Sequence, residues 1–407
     1  MLAPLFPASA GPDARRIVAA RGLRAIADGF AAILLPASIL ARGGGAMQVG
    51  ALATATLLGS ACLTLLAPRL VARFGTRRML VGLGALMAAT GLGFAWFDRF
   101  VPLLVIAFAG TLNPFAGDVS GFVPVEHARL AVSVADAHRT ALFARYSLAG
   151  SLLAAFGSLL AALPQIAAPG LGVTPLAAMR AMFLLYAVIG AAVAAIYTGI
   201  GGNGAGADPV PAPLGPSRRR VWGLAALFSV DAFGGGLFVQ SLLALWLLRH
   251  VGLSLAATSS VFFWSGLLAA FSYLAAVPLS RRIGLINTMV WTHLPSNLAV
   301  MAIPFVSSPA GVVGLWLLRS ALSQMDVPTR SSYVMAVVTP AERAAAASAT
   351  AVPRSLAAAM APSLAGPLFA AGFGWPLLLG GALKAGYDLA LLASFRRVRP
   401  PEETQPR

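Results

Sequence analysis

One lysine and one cysteine are all that 407 residues contain of either type, and only 13 residues are acidic. A lone Cys62 rules out an intrachain disulfide, and its apolar surroundings mark it as a small packing residue. The four histidines do not cluster with cysteine at metal-ligand spacing, so no metal site is expected. No Gly-x-x-x-x-Gly-Lys stretch is present, which sets ATP aside as an energy source. No nucleophile is paired with a base in the apolar segments, so neither an enzyme nor a cofactor is expected. The first fifteen residues lack the basic start and apolar core of a cleavable signal, and the first apolar run is expected to direct insertion itself.

Apolar length takes the place of charge. Hydrophobic residues make up 58% of the chain and charged residues 10%, with a mean hydropathy of +0.83, far outside a soluble globular domain. A helix of roughly 20 apolar residues crosses about 30 Å of hydrocarbon. Runs of that kind occur at 22–41, 48–68, 79–97, 102–125, 141–163, 177–199, 221–248, 255–279, 288–306, 310–335, 349–371 and 375–395. Continuous stretches such as Ala177 to Ile200 exclude the alternation of a β-barrel. The 42 glycines and 28 prolines do not argue against helices, because neighbouring helices satisfy the freed backbone groups in a membrane.

The net charge of +16 is a topology signal. Arg15, Arg16, Arg21 and Arg24 precede the first span, and Arg69, Arg73, Arg77 and Arg78 follow the second. Arg129 and Arg139, Arg218 to Arg220, Arg281 and Arg282, Arg343, and Arg396, Arg397 and Arg399 fall on the same side. The opposite connections hold little beyond Arg42, Arg99, Arg180 and Arg249, so the positive-inside rule places both termini and the central connection in the cytoplasm. Nucleic-acid binding is not expected from arginines spread in this way.

The chain repeats itself. Phe122-Val123-Pro124-Val125-Glu126 returns 204 positions later as Asp326-Val327-Pro328-Thr329-Arg330, and Leu148-Ala149-Gly150-Ser151-Leu152 as Val352-Pro353-Arg354-Ser355-Leu356. An offset of 203 carries Asp28 onto Asp231. Two related apolar halves point to a secondary transporter whose site lies near the midplane. The expected organisation is a six-helix bundle over 1–200, a Gly/Pro/Arg linker over 201–220, a second six-helix bundle over 221–399 and a disordered tail over 400–407.

The loop Pro68-Arg69-Leu70-Val71-Ala72-Arg73-Phe74-Gly75-Thr76-Arg77-Arg78 has a counterpart in Arg281-Arg282-Ile283-Gly284 after the eighth span. With Arg73, Gly75, Arg77 and Arg78 in place, the chain resembles the major facilitator superfamily, whose loop between helices two and three reads Gly-x-Leu-Ala-Asp-Arg-x-Gly-Arg-Arg. Pro68 replaces the family's glycine and Ala72 its acid, and the Gly-Pro motif of antiporters is missing between Gly150 and Gly157. The resemblance implies an all-α membrane protein of twelve helices in two pseudo-symmetric bundles. It also implies that helices one, four, seven and ten line a central cavity.

Ionisable side chains inside a span cost about 2.5–3.5 kcal/mol each on insertion scales, so those that persist face a partner or a cavity. The candidates for proton coupling and the substrate cavity are Asp28, Asp118, Asp231, Arg319, Asp326 and Arg354. Arg319, Ser323, Asp326 and Arg330 are spaced to share one helix face. Asp231 has no basic neighbour one turn away and is expected to be an unpaired proton carrier, or a backbone cap beside Gly234-Gly235-Gly236. Arg354 is expected to meet an anionic group of the substrate or to balance Asp326, and Lys384 to pair with Asp388 four residues on. Glu126 and Arg330, equivalent in the repeat, are expected to form a gate ion pair.

The function expected is proton-coupled movement of a small organic solute, most simply efflux, by a monomer in the cytoplasmic membrane. Import or uniport by the same fold is the alternative. A lipid-handling protein or a non-transporting sensor is a more distant one.

Overall fold

The computed structural model describes residues 11–113, 121–131, 133, 136–201, 214–339 and 342–395. Among them all regular structure is helical. In chain order the helices are α1 (Pro12–Ala41), α2 (Ala46–Phe74), α3 (Thr76–Trp96), α4 (Phe100–Ala109), α5 (Phe122–Ala131), α6 (Asp136–Leu160), α7 (Leu163–Leu171) and α8 (Pro175–Thr198). There follow α9 (Arg218–Gly236), α10 (Gln240–Arg249), α11 (Leu255–Ile283), α12 (Leu285–Ala302), α13 (Pro309–Leu322), α14 (Asp326–Ala336), α15 (Arg343–Ala370) and α16 (Trp375–Phe395).

Among the described residues eight segments are long and apolar enough to cross a membrane, and the protein is an integral membrane protein. The other four expected spans fall short for identifiable reasons. The run at 102–125 ends early as α4 at Gly110, and residues 114–120, including Asp118, lie outside the described residues. The run at 310–335 breaks into α13 and α14 at the turn Ser323-Gln324-Met325. Helix α12 is only 18 residues long and buries Thr292, His293, Ser296 and Asn297, while α15 carries Pro353, Pro362, Pro367 and Arg354. The seventh run also divides: α9 stops at Gly236 and α10 begins at Gln240. Large apolar side chains point outward, as at Trp96, Val101, Ile166, Val188, Trp264 and Trp291, the arrangement a lipid solvent demands. Cys62 is exposed as well, which corrects its reading as a packing residue.

The chain forms two compact units, one of Met1–Gly206 with Gln240–Phe263, the other of Ala207–Val239 with Trp264–Arg407. Helices within each approach through small residues, since lipid offers no hydrophobic drive for association and close backbone packing supplies it. In the first unit Gly29 of α1 lies on the Ala154 carbonyl of α6, and Gly157 of α6 lies on the Ile26 carbonyl of α1. In the second, Gly234 of α9 and Gly380 of α16 lie against each other's carbonyls, with Lys384 and Phe238 packed beside them. The repeat extends to backbone conformation: Gly75, between α2 and α3, has φ +81°, and Gly284, between α11 and α12, has φ +88°. Both need glycine's freedom at positive φ, and Arg73, Arg77 and Arg78 around the first are exposed.

Candidate functional site

Each unit buries a knot of charge beside its first helix. In the first, Glu126 of α5 is wholly buried and every oxygen is used. Its Oε2 accepts from Arg24 Nη2 of α1 at 2.5 Å and from the Tyr146 hydroxyl of α6 at 2.5 Å, while Oε1 accepts from the Tyr197 hydroxyl of α8. The Arg24 guanidinium lies 3.9 Å from the ring centroid of Phe122, so an aromatic face completes its surroundings. One turn on, Asp28 is buried in the same unit as Tyr186 of α8, whose hydroxyl donates to the Thr111 carbonyl at 3.3 Å.

The second unit holds a larger network. Asp231 of α9 accepts from Lys384 Nζ of α16 at 2.5 Å through Oδ1 and from Arg330 Nη1 of α14 at 3.1 Å through Oδ2. Arg330 also lies 3.4 Å from Asp326 on its own helix, and its guanidinium is over Phe228. On α12, His293 turns Nδ1 to Asp388 Oδ1 at 2.8 Å and Nε2 toward Asp231 Oδ1 at 3.9 Å. Asn297, one turn further, donates to Asp388 Oδ2 at 2.8 Å. Three carboxylates, two cations and an imidazole thus share one buried volume, where desolvation makes each pairing count more than it would in water.

No protein-family model matches the chain. It is 23% identical over 385 residues, 86% of each sequence, to the uncharacterized membrane protein YJR124C of Saccharomyces cerevisiae. Among solved structures it superposes on a mutant form of the nucleoside transporter NupG with a TM-score of 0.73 at 11% identity, covering 94% of this chain and 100% of that one. A bacterial homolog of the human lysosomal transporter Spinster, inward-facing and unoccupied, gives 0.72 at 16% identity over 96% and 98% of the two chains. An auto-inhibited peptide transporter of the POT family gives 0.71 at 13% identity over 98% and 99%. The chain has the major facilitator fold.

Within that fold the sequence-derived residues are partly brought together. Asp231, Asp326 and Arg330 meet in the second unit, and Asp28 lies in the first. Arg319 stands apart: its guanidinium stacks 4.8 Å from the Trp316 ring and 5.7 Å from that of Phe238. The expected single face through Arg319, Ser323, Asp326 and Arg330 does not form as one helix, because the turn at 323–325 interrupts it. Arg354 is exposed and has no ion pair to Asp326 among the described residues, although Arg330, Asp231 and Asp326 are within electrostatic reach. Glu126 and Arg330 each find partners within their own unit.

Two expectations are corrected. Asp231 is not unpaired, because the cations that reach it come from α14 and α16 and are invisible to a search along its own helix. Lys384 does not pair with Asp388: Lys384 turns to Asp231, and Asp388 is taken by His293 and Asn297. The signal was present in two four-residue spacings: His293 and Asn297, which lie 3.2 Å apart on α12, both reach across to Asp388, while Lys384 leaves Asp388 for Asp231 on α9.

Proposed function

We propose that the protein is a secondary transporter that moves a small organic solute across the cytoplasmic membrane by alternating access, coupled to protons and running as efflux. The observation that carries this reading is the buried network around Asp231 in a fold shared with transporters of nucleosides and peptides. Asp231 holds Lys384 and Arg330 at once, so adding a proton to it releases two cations and changes how α9 is held to α14 and α16. A proton acts on the transport cycle only through a difference in affinity between two states, and an exchange of ion-pair partners supplies that difference. Asp326, which shares Arg330, is the second carboxylate of the mechanism; in the first half Asp28 is the counterpart of Asp231, and Asp118 is a further acid of that half.

The arginine distribution supports cytoplasmic termini, and one chain of this fold encloses a whole pathway, in keeping with a monomer. The test is proton movement in proteoliposomes loaded with a pH-sensitive dye, across a broad panel of solutes, for wild type, Asp231→Asn and Asp326→Asn. A solute-induced proton flux that is lost in the variants supports coupling through these carboxylates. Solute flux without proton movement in all three proteins replaces coupling with uniport.

A further inference from the structure

We propose, on the basis of the transport reading above, that the solute is an organic anion and that its acidic group is received by the two arginines of the second unit's spans that no carboxylate among the described residues holds, Arg354 and Arg319, each tested separately. The argument begins with what the carboxylates of the second unit already hold. Asp231 carries Lys384 and Arg330, Asp388 carries His293 and Asn297, and Asp326 faces Arg330. None is left open for a cationic solute. The cations are not exhausted in the same way: away from the arginines at the helix ends, the spans of this unit carry Lys384, Arg330, Arg319 and Arg354, and only the first two are held by a carboxylate among the described residues. Arg319 and Arg354 are the other two. Neither forms an ion pair with a carboxylate among the described residues, and Arg319 Nε is buried without a hydrogen-bond partner.

Their settings suit a ligand. Trp316 and Phe238 hold the Arg319 guanidinium through its face, which leaves the N–H edge for an oxyanion. Arg354 is exposed on α15, with Arg330 acting on it in one sense and Asp231 and Asp326 in the other, and its N–H groups face outward without a carboxylate partner among the described residues.

The internal repeat sharpens the assignment. Arg354 is the equivalent of Gly150, and in the first unit a Cβ at Gly150 would lie 2.6–2.9 Å from the guanidinium of Arg21, which comes from α1. The equivalent of Arg21 in the second unit is Leu224, part of the apolar core of that unit. A guanidinium is therefore supplied beside this position in both halves, from α1 in one and from α15 in the other. Packing does not require the second, since Leu224 already fills the core and Arg354 is exposed.

The test uses the full chain in lipid nanodiscs and four probes of one shape: benzoate, phenyl phosphate, benzamide and benzylamine. Binding is followed by calorimetry and by tryptophan fluorescence, to which Trp316 contributes. At least one of the two anions binds wild type, and which one separates a carboxylate from a phosphate ligand; benzamide and benzylamine do not bind. Affinity falls about tenfold or more in Arg354→Gln, the loss of a charge-assisted contact, and less in Arg354→Lys. Arg319→Gln gives an independent second loss. Absence of binding by both anions, tighter binding of benzylamine, or unchanged affinity in well-folded Arg354→Gln and Arg319→Gln overturns the assignment. Solute flux in proteoliposomes is read separately. Arginine-dependent anion binding without flux removes the transport reading and keeps the anion site, whereas flux of a cation alone does the reverse.

Discussion

Glu126 and Arg330 occupy equivalent positions in the two halves, and each binds the first helix of its own half with the opposite sign of charge. Glu126 meets Arg24 of α1, and Arg330 meets Asp231 of α9. The link between helices is retained while its polarity is exchanged. Removing one member of a buried pair costs about 3–5 kcal/mol, because the other charge is stranded, whereas replacing both with apolar residues is close to neutral. Arg24→Met and Glu126→Leu are each expected to lower the unfolding temperature sharply, and the double variant to lose less than the sum of the two, short of full recovery because the Tyr146 and Tyr197 hydroxyls lose their acceptor. Additive losses in that thermal-unfolding cycle would remove the pairing argument.

The only lysine of the chain gives the next prediction. Lys384→Met leaves Asp231 with Arg330 and a distant imidazole, and it is expected to abolish solute-driven proton flux as fully as Asp231→Asn does. The double variant regains stability without regaining flux. Thermal unfolding and the dye assay on the same preparations separate the two effects.

His293 and Asn297 fix Asp388 from α12. Asp388→Asn removes the charge and one acceptor while keeping the shape, for an expected loss of about 1–3 kcal/mol. His293→Leu strands Asp388 and costs more. A denaturation series in which both are neutral would show the network to be dispensable.

Glu342 holds the start of the second half outside the membrane spans. It accepts from Thr339 Oγ1 at 2.7 Å, Ser217 Oγ at 2.8 Å and the Gly215 N–H at 2.6 Å. Hydrogen bonds from Thr339 and then Ser217 bring its pKa from an ordinary 4.5 down to about 2. A folded value below the unfolded one means that the carboxylate stabilises this anchor above pH 4.5 and loses that effect as pH falls toward 2. Exchange of the Gly215 and Ser217 amide hydrogens, referred to an unstructured peptide, is expected to gain relative rate through this window. Glu342→Gln should show the gain already at neutral pH.

Gly380 lies against the carbonyl of Gly234, and a Cβ there would fall 2.6 Å from that oxygen. Gly380→Val should therefore separate α9 from α16, with a destabilisation of about 1–3 kcal/mol and loss of the Lys384–Asp231 contact. Gly386→Ala on the same helix, where a Cβ meets nothing within 4 Å, is the control.

The membrane class and the two-fold repeat were legible because they rest on composition and on motifs tens of residues long. The repeat even located Gly75 and Gly284, whose positive φ is a local property of the backbone. What escaped was partnership. The cations of Asp231 lie 99 and 153 positions away, so the i to i+4 rule, applied to Lys384 and Asp388, named the nearest opposite charge instead of the one that helix packing presents. Interruptions such as Ser323-Gln324-Met325 also escaped, because an apolar run does not record where its helix changes course.

The connection between the halves is fastened at both ends. Asp13 and Arg129 hold Gly201, with Arg129 Nη2 to Asp13 Oδ2 at 2.6 Å and the Gly201 N–H to Asp13 Oδ1 at 3.2 Å, and Glu342 holds Gly215. Gly201 is thus tied to the opening turn of α1 through Asp13, and Gly215 to Glu342, the residue that precedes α15. Each fastening turns on a single carboxylate, so Asp13→Asn and Glu342→Gln loosen one end apiece and leave the other as it was.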